Sequence, residues 1–520
     1  MAVAKAYAVS LIGLSGTIVE IEAEISSNLP SFVLIGLPDA SLTEAKDRVR
    51  AATQNSGLKM PGRRVTVNLS PASVPKRGSG FDLAIAMAIL AADGRVKPTL
   101  VAEWIHLGEL GLDGQIRPIS GILPSLLAAK GVGRTKFVVP HSNLAEAELV
   151  EGVQVIGASR LAEVARFHGA NIDAPELFIS RGKAPADSSP LQSRFDLADV
   201  IGQDSAVDAL AIAAVGGHHM LMVGPPGVGK TMLAERLPTI LPNLTQAESL
   251  ETSALRSLVS MTSLDAVPTL STVRPFETPH HSASLSSLIG GGHTFPRPGL
   301  VSLANNGVLF LDEAPEFQRP LLEALRQPLE SGEVVLNRAA GVARFPARFQ
   351  LVMAANPCPC GNYFSTTKSC TCPVSVRMAY FAKLSGPLLD RIDIRLRLQG
   401  STPAQLALAQ MGASQVGRSS EEVRKKVSAA RVLSRNRLQR TPWRLNSQVP
   451  GSYLRKQLRL NSDVTRPIDL ALERGVLSMR GYDRCLRLAW SSADLADRSS
   501  VSQEDIAVAI TLRGNDGGMP

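Results

Sequence analysis

The chain has 520 residues and a formal net charge of +9, and 44% of its residues are hydrophobic while 19% are charged. This composition is typical of a soluble globular protein, and the length is too great for one core and predicts roughly three or four domains. No apolar run is long enough to span a bilayer, so we expect a cytoplasmic protein with no membrane partner.

Residues 1–175 have the mixed pattern of an α/β domain. Polar residues and glycines interrupt the first apolar stretch, and residues 18–25 then alternate as a half-buried strand does, which argues against a secretory signal. We predict strands at residues 18–25, 32–37, 65–69, 137–139 and 153–156, and helices at residues 41–53 and 81–92. The small, polar composition of residues 176–194 is typical of a linker.

The next segment carries a phosphate-binding motif of the form G-x-x-x-x-G-K-[ST]. Its residues are Gly224, Pro225, Pro226, Gly227, Val228, Gly229, Lys230 and Thr231. A strand-like stretch precedes the motif and a helix-like stretch follows it, which is the context of a phosphate-binding loop. Glycines let backbone N–H groups approach phosphate oxygens, Lys230 supplies positive charge to the β- and γ-phosphates, and Thr231 offers a hydroxyl to Mg²⁺. The motif therefore predicts ATP and Mg²⁺ as cofactors.

Two later strand ends add acidic and amide groups. Residues 308–311 read as a buried strand followed by Asp312 and Glu313. We expect Asp312 to hold the Mg²⁺ shell and Glu313 to polarise the attacking water. Asn356 ends another apolar strand and offers a neutral amide that can align water against the γ-phosphate. Strands alternate with helices over residues 195–400, which favours a parallel sheet.

Two arginines complete this set of candidates. Arg391 is placed to reach the ATP of a neighbouring subunit, where a guanidinium stabilises developing phosphoryl charge. The pattern beyond residue 400 is helical and indicates a lid on the nucleotide domain, in which Arg480 opens a helix and is placed to sense the nucleotide state. Residues 401–520 hold 19 Lys and Arg against 11 Asp and Glu. Such a surface favours a polyanion, although solvated helix faces have the same composition.

A hairpin is the second candidate for contact with nucleic acid. Residues 333–349 read as two strands carrying Arg338, Arg344 and Arg348. Guanidinium groups placed in this way hold backbone phosphates without reading sequence. The alternative is that the hairpin only packs against its neighbour. Aromatic residues make up only 4% of the chain, so DNA binding should depend on salt more than on base stacking.

Four of the five cysteines form two C-x-C pairs, Cys358 with Cys360 and Cys370 with Cys372. Four converging thiolates would make a closed structural zinc site. The spacing is tighter than the usual C-x₂-C, so disulfides or free thiols remain the alternative.

Several longer motifs point to a family. They include Gly36-Leu-Pro-Asp39, Val67-Asn-Leu-Ser70, Pro279-His-His-Ser-Ala-Ser284, Pro296-Arg-Pro-Gly299, Asn356-Pro-Cys-Pro-Cys-Gly361 and Leu384-Ser-Gly-Pro-Leu-Leu-Asp-Arg391. With the phosphate motif they resemble the AAA+ ATPases of the magnesium-chelatase clade, most closely the bacterial ComM/YifB proteins. The resemblance covers nearly the whole chain. It implies an AAA+ core at residues 195–400 with an insertion at residues 251–300, a pore hairpin and the four-cysteine element, followed by a basic helical lid at residues 401–520.

The same resemblance implies roles for individual residues. Asn356 is the sensor-1 residue, Arg391 the arginine finger and Arg480 the sensor-2 residue, while Ile201 and Gly202 lie against the adenine. ComM-type proteins are hexameric rings that promote branch migration during recombination of incoming DNA. The implied function is thus an ATP-driven helicase on branched or single-stranded DNA in recombination or natural transformation. The alternative is an ATPase that remodels a protein partner, as metal chelatases do.

The N-terminal domain, residues 1–175, resembles the proteolytic domain of Lon. The matching stretches are Pro75-Lys-Arg-Gly78, Gly108-Glu109 and Pro118-Ile-Ser-Gly121. A Lon-type peptidase needs a serine and a lysine within hydrogen-bonding reach. Gly80 stands where the serine belongs, and Leu123 and Ser125 stand where the lysine would lie. We therefore expect a domain without peptidase activity, the alternative being a displaced pair of Ser79 and Lys130.

Overall fold

The computed structural model describes residues 3–36, 40–76, 78–181, 195–259, 270–292, 296–338, 341–364, 369–399 and 418–514. Most of the predicted linker, the tip of the predicted hairpin, parts of the predicted insertion and the boundary between core and lid lie outside these residues. No helix in the described part of the chain combines the length and the apolar character needed to cross a membrane.

The N-terminal domain is built on one mixed eight-stranded sheet, in the order β10-β9-β8-β5-β1-β2-β4-β3. The strands of the domain are β1 (Val3–Ile12), β2 (Ser15–Ser26), β3 (Phe32–Ile35), β4 (Arg64–Ser70), β5 (Ile105–His106), β6 (Glu109–Leu110), β7 (Ile116–Arg117), β8 (Lys136–Pro140), β9 (Gln154–Ala158) and β10 (Ser180–Arg181). The helices are α1 (Ala40–Asn55), α2 (Asp82–Ala92), α3 (Pro98–Glu103), α4 (Ile122–Gly131), α5 (Leu144–Ala147) and α6 (Leu161–Phe167). Each predicted strand and helix of this domain is present.

Two features of this domain were not anticipated from the sequence. Strand β10 falls inside the predicted linker, yet it pairs antiparallel with β9, so the sheet continues to residue 181. Helix α2 is buried along its whole length, and its only polar side chain, Asp82, is held by Arg48 through bonds of 2.6 and 3.1 Å. A buried carboxylate needs such a partner because burying an unpaired charge is costly.

The central region has a five-stranded parallel sheet in the order β12-β15-β18-β11-β19, as predicted. The strands of this region are β11 (Met220–Val223), β12 (Phe276–Glu277), β13 (Gly290–Gly291), β14 (Arg297–Pro298), β15 (Val308–Leu311), β16 (Glu333–Arg338), β17 (Gly341–Pro346), β18 (Gln350–Ala355) and β19 (Ile394–Arg397). The helices are α7 (Asp204–Gly216), α8 (Lys230–Ile240), α9 (Gln246–Ser257), α10 (Leu285–Ile289), α11 (Leu300–Leu303), α12 (Arg319–Ala324), α13 (Arg326–Ser331), α14 (Val374–Ala382) and α15 (Gly386–Leu389). Strands β11, β15 and β18 are buried throughout, as expected for a parallel sheet covered on both faces.

The C-terminal region is helical, as the sequence predicts. Its helices are α16 (Ser420–Leu438), α17 (Gly451–Lys456), α18 (Ser462–Glu473), α19 (Met479–Leu495) and α20 (Gln503–Arg513). A buried polar chain joins it to the sheet: His218 lies 2.9 Å from Asp393 through Nδ1 and 2.7 Å from Ser491 through Nε2. Asp494, one turn further along α19, is bound by Arg437 at 2.7 and 2.6 Å. The bonds of His218 fix the lid to the amino end of the sheet and the Arg437–Asp494 pair fixes two lid helices to each other, because breaking them would leave buried polar groups unpaired.

Candidate functional site

The phosphate motif forms a loop between β11 and α8. Gly227 and Gly229 have φ of +79° and +83°, a left-handed conformation that glycine adopts without strain. Helix α8 then begins at Lys230, so the free N–H groups of its first turn lie beside the loop. The loop therefore presents backbone donors and the positive end of a helix dipole to an anion.

Lys230 occupies the centre of this loop. Its ammonium group donates to the carbonyls of Gly224 at 2.6 Å and Pro225 at 2.9 Å, and to the Oδ1 atom of Asn356 at 3.0 Å. Burial lowers the pKa of Lys230, while nearby carboxylates oppose that shift. All three hydrogen-bond partners are neutral, so the charge of the ammonium is available to a phosphate. The bond to Asn356 also brings the end of β18 to the loop.

Thr231 and Asp312 form the second part of the site. The Thr231 hydroxyl donates to Oδ2 of Asp312 at 2.8 Å, which places a hydroxyl and a carboxylate oxygen side by side. Oxygen ligands of this kind suit Mg²⁺. The donor set therefore fits the metal that accompanies ATP in such loops.

Glu313 follows directly and has an unusual backbone. Its φ is +50° and its ψ is +46°, a left-handed conformation that costs a residue other than glycine about 1–3 kcal/mol. Its N–H group donates to Oδ1 of Asp312 at 2.9 Å, and its side chain is exposed. The turn thus directs the two neighbouring carboxylates differently: Asp312 towards Thr231, and Glu313 towards solvent.

These residues suggest a division of roles. When bound, Mg²⁺–ATP supplies the phosphoanhydride bond that is to be split. Lys230 and the loop N–H groups would then hold the phosphates, Thr231 and Asp312 would hold the metal, Asn356 would orient water, and the exposed Glu313 would accept its proton.

The predicted adenine contacts, Ile201 and Gly202, lie beside the loop. Gln203, the next residue, donates from Nε2 to the carbonyl of Val228 at 2.7 Å and so ties this segment to the phosphate loop. Arg236 of α8 also binds this part of the chain, because its guanidinium donates to Asp199 Oδ2 at 2.7 Å. Sequence reasoning missed Gln203, because no motif includes it.

Arg391 and Arg480 lie together, at the opposite edge of the sheet from the phosphate loop. Arg391 precedes β19, whereas the phosphate loop follows β11, and these two strands are parallel neighbours in the sheet. A strand of four residues is about 13 Å long, so Arg391 and the phosphate loop lie at opposite ends of that length. Arg391 donates to the carbonyl of Pro387 at 2.6 Å and pairs with Glu330, and burial together with nearby arginines lowers its pKa. Arg480 pairs with Asp390 at 2.9 Å.

Comparison with known proteins shows the family of this chain. Family models for subunit ChlI of magnesium chelatase match residues 21–143 and 196–406, and a model for the C-terminal part of that subunit matches residues 417–513. Competence protein ComM of Haemophilus influenzae is 40% identical over 513 residues, which cover 99% of this chain and 98% of that protein. The chain belongs to the ComM/YifB family of magnesium-chelatase-like proteins.

Other relatives extend this relationship. YifB of Escherichia coli is 38% identical over 505 residues, covering 97% of this chain and 96% of that protein. An uncharacterised protein of Mycobacterium tuberculosis is 46% identical over 517 residues, which cover 99% of both chains. Membership of this family of AAA+ proteins, together with the loop geometry, supports an ATPase that uses ATP and Mg²⁺.

The predicted hairpin of this ComM/YifB chain is present as β16 and β17, and its two faces differ. Its apolar face is buried under the turn between β1 and β2, where a Cβ on Gly13 would lie 3.0 Å from the carbonyl oxygen of Arg344. The Arg344 side chain nevertheless stays exposed and pairs with Glu333 at 2.6 Å. Arg348, beyond β17, pairs with Glu251 at 2.8 Å, and Arg338 is exposed. The hairpin therefore packs against a neighbour and also presents arginines to solvent.

The basic residues of α16, a helix of the lid, fall into two groups, those that bind other parts of the protein and those that are exposed. Arg431 is directed inward and donates to the carbonyl of Ala214 at 2.6 and 3.0 Å, and burial lowers the pKa of Arg431 to about 9. Arg437 is bound to Asp494. Arg431 thus holds the lid to the core and Arg437 joins two helices within the lid, so neither adds to a basic surface. Lys425 and Lys426 remain exposed on the other face.

The N-terminal domain holds the two residues of the displaced peptidase pair apart. Ser79 donates its hydroxyl to Glu109, whereas the Lys130 ammonium donates to the carbonyl of Glu151 at 2.7 Å. The displaced serine–lysine pair that the sequence left open is therefore not hydrogen-bonded. The Ser125 hydroxyl donates to the carbonyl of Gly121 inside α4, where the residue is buried.

The four paired cysteines come together in space. The Sγ atoms of Cys358, Cys360, Cys370 and Cys372 all lie within 4.8 Å of one another, with Cys358 buried and the others half-buried. This convergence makes the cluster a candidate metal site. Cys485 is separate from it and buried in the lid core.

Proposed function

We propose that this protein is a ring-forming ATPase, hexameric and cytoplasmic, that moves on branched or single-stranded DNA and promotes branch migration in recombination, including natural transformation. The observation that carries the proposal is the separation of Arg391 from the phosphate loop of its own chain.

A single copy has only part of such an active site. Lys230, Thr231, Asp312 and Asn356 converge at the carboxyl edge of the parallel sheet, while Arg391 and its neighbour Arg480 lie at the amino edge. A guanidinium held at that distance cannot contact the phosphates of its own chain. A neighbouring copy turned by one ring step would bring its amino edge to this phosphate loop, which is the head-to-tail contact that closes a ring.

The case for DNA rests on exposed cations that do not join one domain to another. Arg344 is exposed on the hairpin face opposite the buried residues, Arg338 is exposed at the end of β16 near the hairpin tip, and Lys425 and Lys426 are exposed on α16. Cations of this kind bind phosphates and not bases, so they suit a motor that must pass over any sequence. The relative named competence protein ComM is consistent with DNA as the substrate.

Removing the hairpin arginines tests this assignment. In Arg338→Ala and Arg344→Ala we expect the ATPase rate stimulated by forked DNA to fall at least several-fold, with the basal rate unchanged. The slope of the logarithm of DNA affinity against the logarithm of salt concentration should become shallower by about 0.9 for each DNA phosphate that the variant no longer neutralises. Arg63→Ala, which removes an exposed arginine of the N-terminal domain, is the matched control and should change neither quantity.

The second candidate is an ATPase that remodels a protein partner. It is favoured by the match of all three family models to a subunit of magnesium chelatase. In that case forked DNA at low salt would not raise the ATPase rate of the intact protein, and the hairpin variants would behave like the control. The N-terminal domain is then the candidate surface for the partner, as an inactive Lon-like fold. The four-cysteine cluster is proposed as a structural zinc site under either function.

A further inference from the structure

The distances within the cysteine cluster match those of a single tetrahedral ion. Cys358 Sγ lies 3.3 Å from Cys360 Sγ and 3.7 Å from Cys370 Sγ, and the Cys360–Cys370 distance is also 3.7 Å. Zinc bound by thiolates at about 2.3 Å separates neighbouring sulfurs by about 3.8 Å in a tetrahedron. A disulfide would require about 2.05 Å. These three separations are thus close to the tetrahedral spacing and well beyond the length of a disulfide bond.

Backbone N–H groups lie close to the sulfurs. Backbone N–H groups of Asn362 and Tyr363 donate to Cys358 Sγ, and the N–H group of Cys372 lies 3.4 Å from Cys370 Sγ. Such outer hydrogen bonds orient metal-binding thiolates and offset their charge. Among the residues that the structure describes, the ligand set has four sulfurs and no carboxylate or imidazole, which is a donor set that zinc prefers.

The segment of residues 358–364, which we call the cysteine loop, contacts the phosphate loop. Cys358 comes two residues after Asn356, which is bonded to Lys230. Gly361 has φ of +78°, and a Cβ there would lie 2.7 Å from Cδ and 2.8 Å from Cγ of Pro226. Gly361, the residue after the first C-x-C pair, is therefore in close contact with the phosphate loop at Pro226, with no room for a side chain on Gly361.

Two aromatic side chains hold the cysteine loop at this edge of the sheet. The Arg377 guanidinium lies 3.7 Å from the centre of the Tyr363 ring, and that of Arg397 lies 4.9 Å from the centre of the Phe364 ring. Arg397 is the last residue of β19, so Phe364 reaches the carboxyl edge where the phosphate loop begins. The ligands and the nucleotide site are thus parts of one packed unit.

We propose that Cys358, Cys360, Cys370 and Cys372 bind one zinc ion, and that the zinc-bound loop holds the phosphate loop in its binding conformation. Loss of zinc then weakens nucleotide binding through the contact of Gly361 with Pro226 and through the position of Asn356. The coupling rests on the proposed ATP site, whereas the binding of zinc does not.

Metal content and nucleotide affinity, measured separately on the full-length protein, test both parts. Plasma mass spectrometry should find one zinc per chain in the wild type and in Cys485→Ala, whose cysteine lies in the lid core. Cys360→Ser and Cys370→Ser should lose the zinc and bind a fluorescent ATP analogue at least about tenfold more weakly. Iron in place of zinc, or four thiols that react freely in the purified wild type, would overturn the metal site.

Gly361→Ala separates the coupling from the metal. This variant keeps all four ligands, so it should retain its zinc, yet the added Cβ must displace Pro226 and should weaken binding of the analogue about tenfold. In the wild type, removal of zinc by a zinc-selective chelator in excess Mg²⁺ should lower the affinity reversibly, and added zinc should restore it. Unchanged affinity after chelation would overturn the coupling while leaving the zinc site in place. A zinc-loaded wild type that binds no ATP would instead overturn the proposed function.

Discussion

Arg391→Ala is expected to slow ATP hydrolysis by about 10³–10⁵-fold while leaving ATP binding intact. The guanidinium would stabilise charge that develops on the phosphoryl group only in the transition state, so its loss affects turnover and not affinity. Arg391→Lys should recover little, because a lysine lacks the planar, forked donor geometry. The measurements are the steady-state phosphate release rate and the affinity for a fluorescent ATP analogue.

Mixing two inactive variants shows which copy supplies the arginine. Lys230→Ala disables the phosphate loop, and Arg391→Ala disables the arginine. In rings assembled from equal amounts of both, about a quarter of the interfaces combine an intact loop with an intact arginine, so about a quarter of the wild-type rate should return. If Arg391 served its own chain, no interface would be complete and the mixture would stay inactive. Recovered activity also proves that the Arg391→Ala chain is folded.

The phosphate site could be predicted from the sequence because each of its parts is encoded locally. A glycine-rich loop between an apolar strand and a helix leaves few alternatives, and Lys230 and Thr231 have fixed places in it. Asp312 and Asn356 end buried strands of a parallel sheet, whose carboxyl ends meet at one edge. The hydrogen bonds of Lys230 to Asn356 and of Thr231 to Asp312 follow from that topology.

The number of basic residues in the lid did not indicate which of them are exposed. The buried stripe of α16 includes Val427 and Ser434. Arg431 lies four residues after the first and Arg437 three after the second, so helical spacing places both beside the stripe. They are consequently used to bind Ala214 and Asp494 of the packed structure. Helical periodicity, and not the number of basic residues, decides which of them face solvent.

The contact between the hairpin and the N-terminal domain could not be predicted from local pattern. Alternation in β16 and β17 indicates that one face is apolar, but it does not indicate what covers that face. The cover is the turn at Gly13 and Leu14, which lies more than three hundred residues earlier in the chain. Such a contact depends on how whole domains pack. It also means that movement of the hairpin and movement of the N-terminal domain must be coupled.

Glu313→Gln is expected to keep ATP binding and to reduce turnover by about 10²–10⁴-fold, because an amide cannot accept a proton from the attacking water. Glutamine has the same length and tolerates the left-handed backbone as poorly as glutamate does, so the turn after Asp312 should persist and the metal ligands should stay in place. Glu316→Gln is the matched control, since Glu316 lies in the same turn and pairs with Lys383 at 3.5 Å; its rate should remain near that of the wild type. An undiminished rate in Glu313→Gln would show that another group accepts the proton. A loss of ATP binding would instead mean that the carboxylate supports the shape of the turn, and the strained φ of Glu313 would then serve binding and not chemistry.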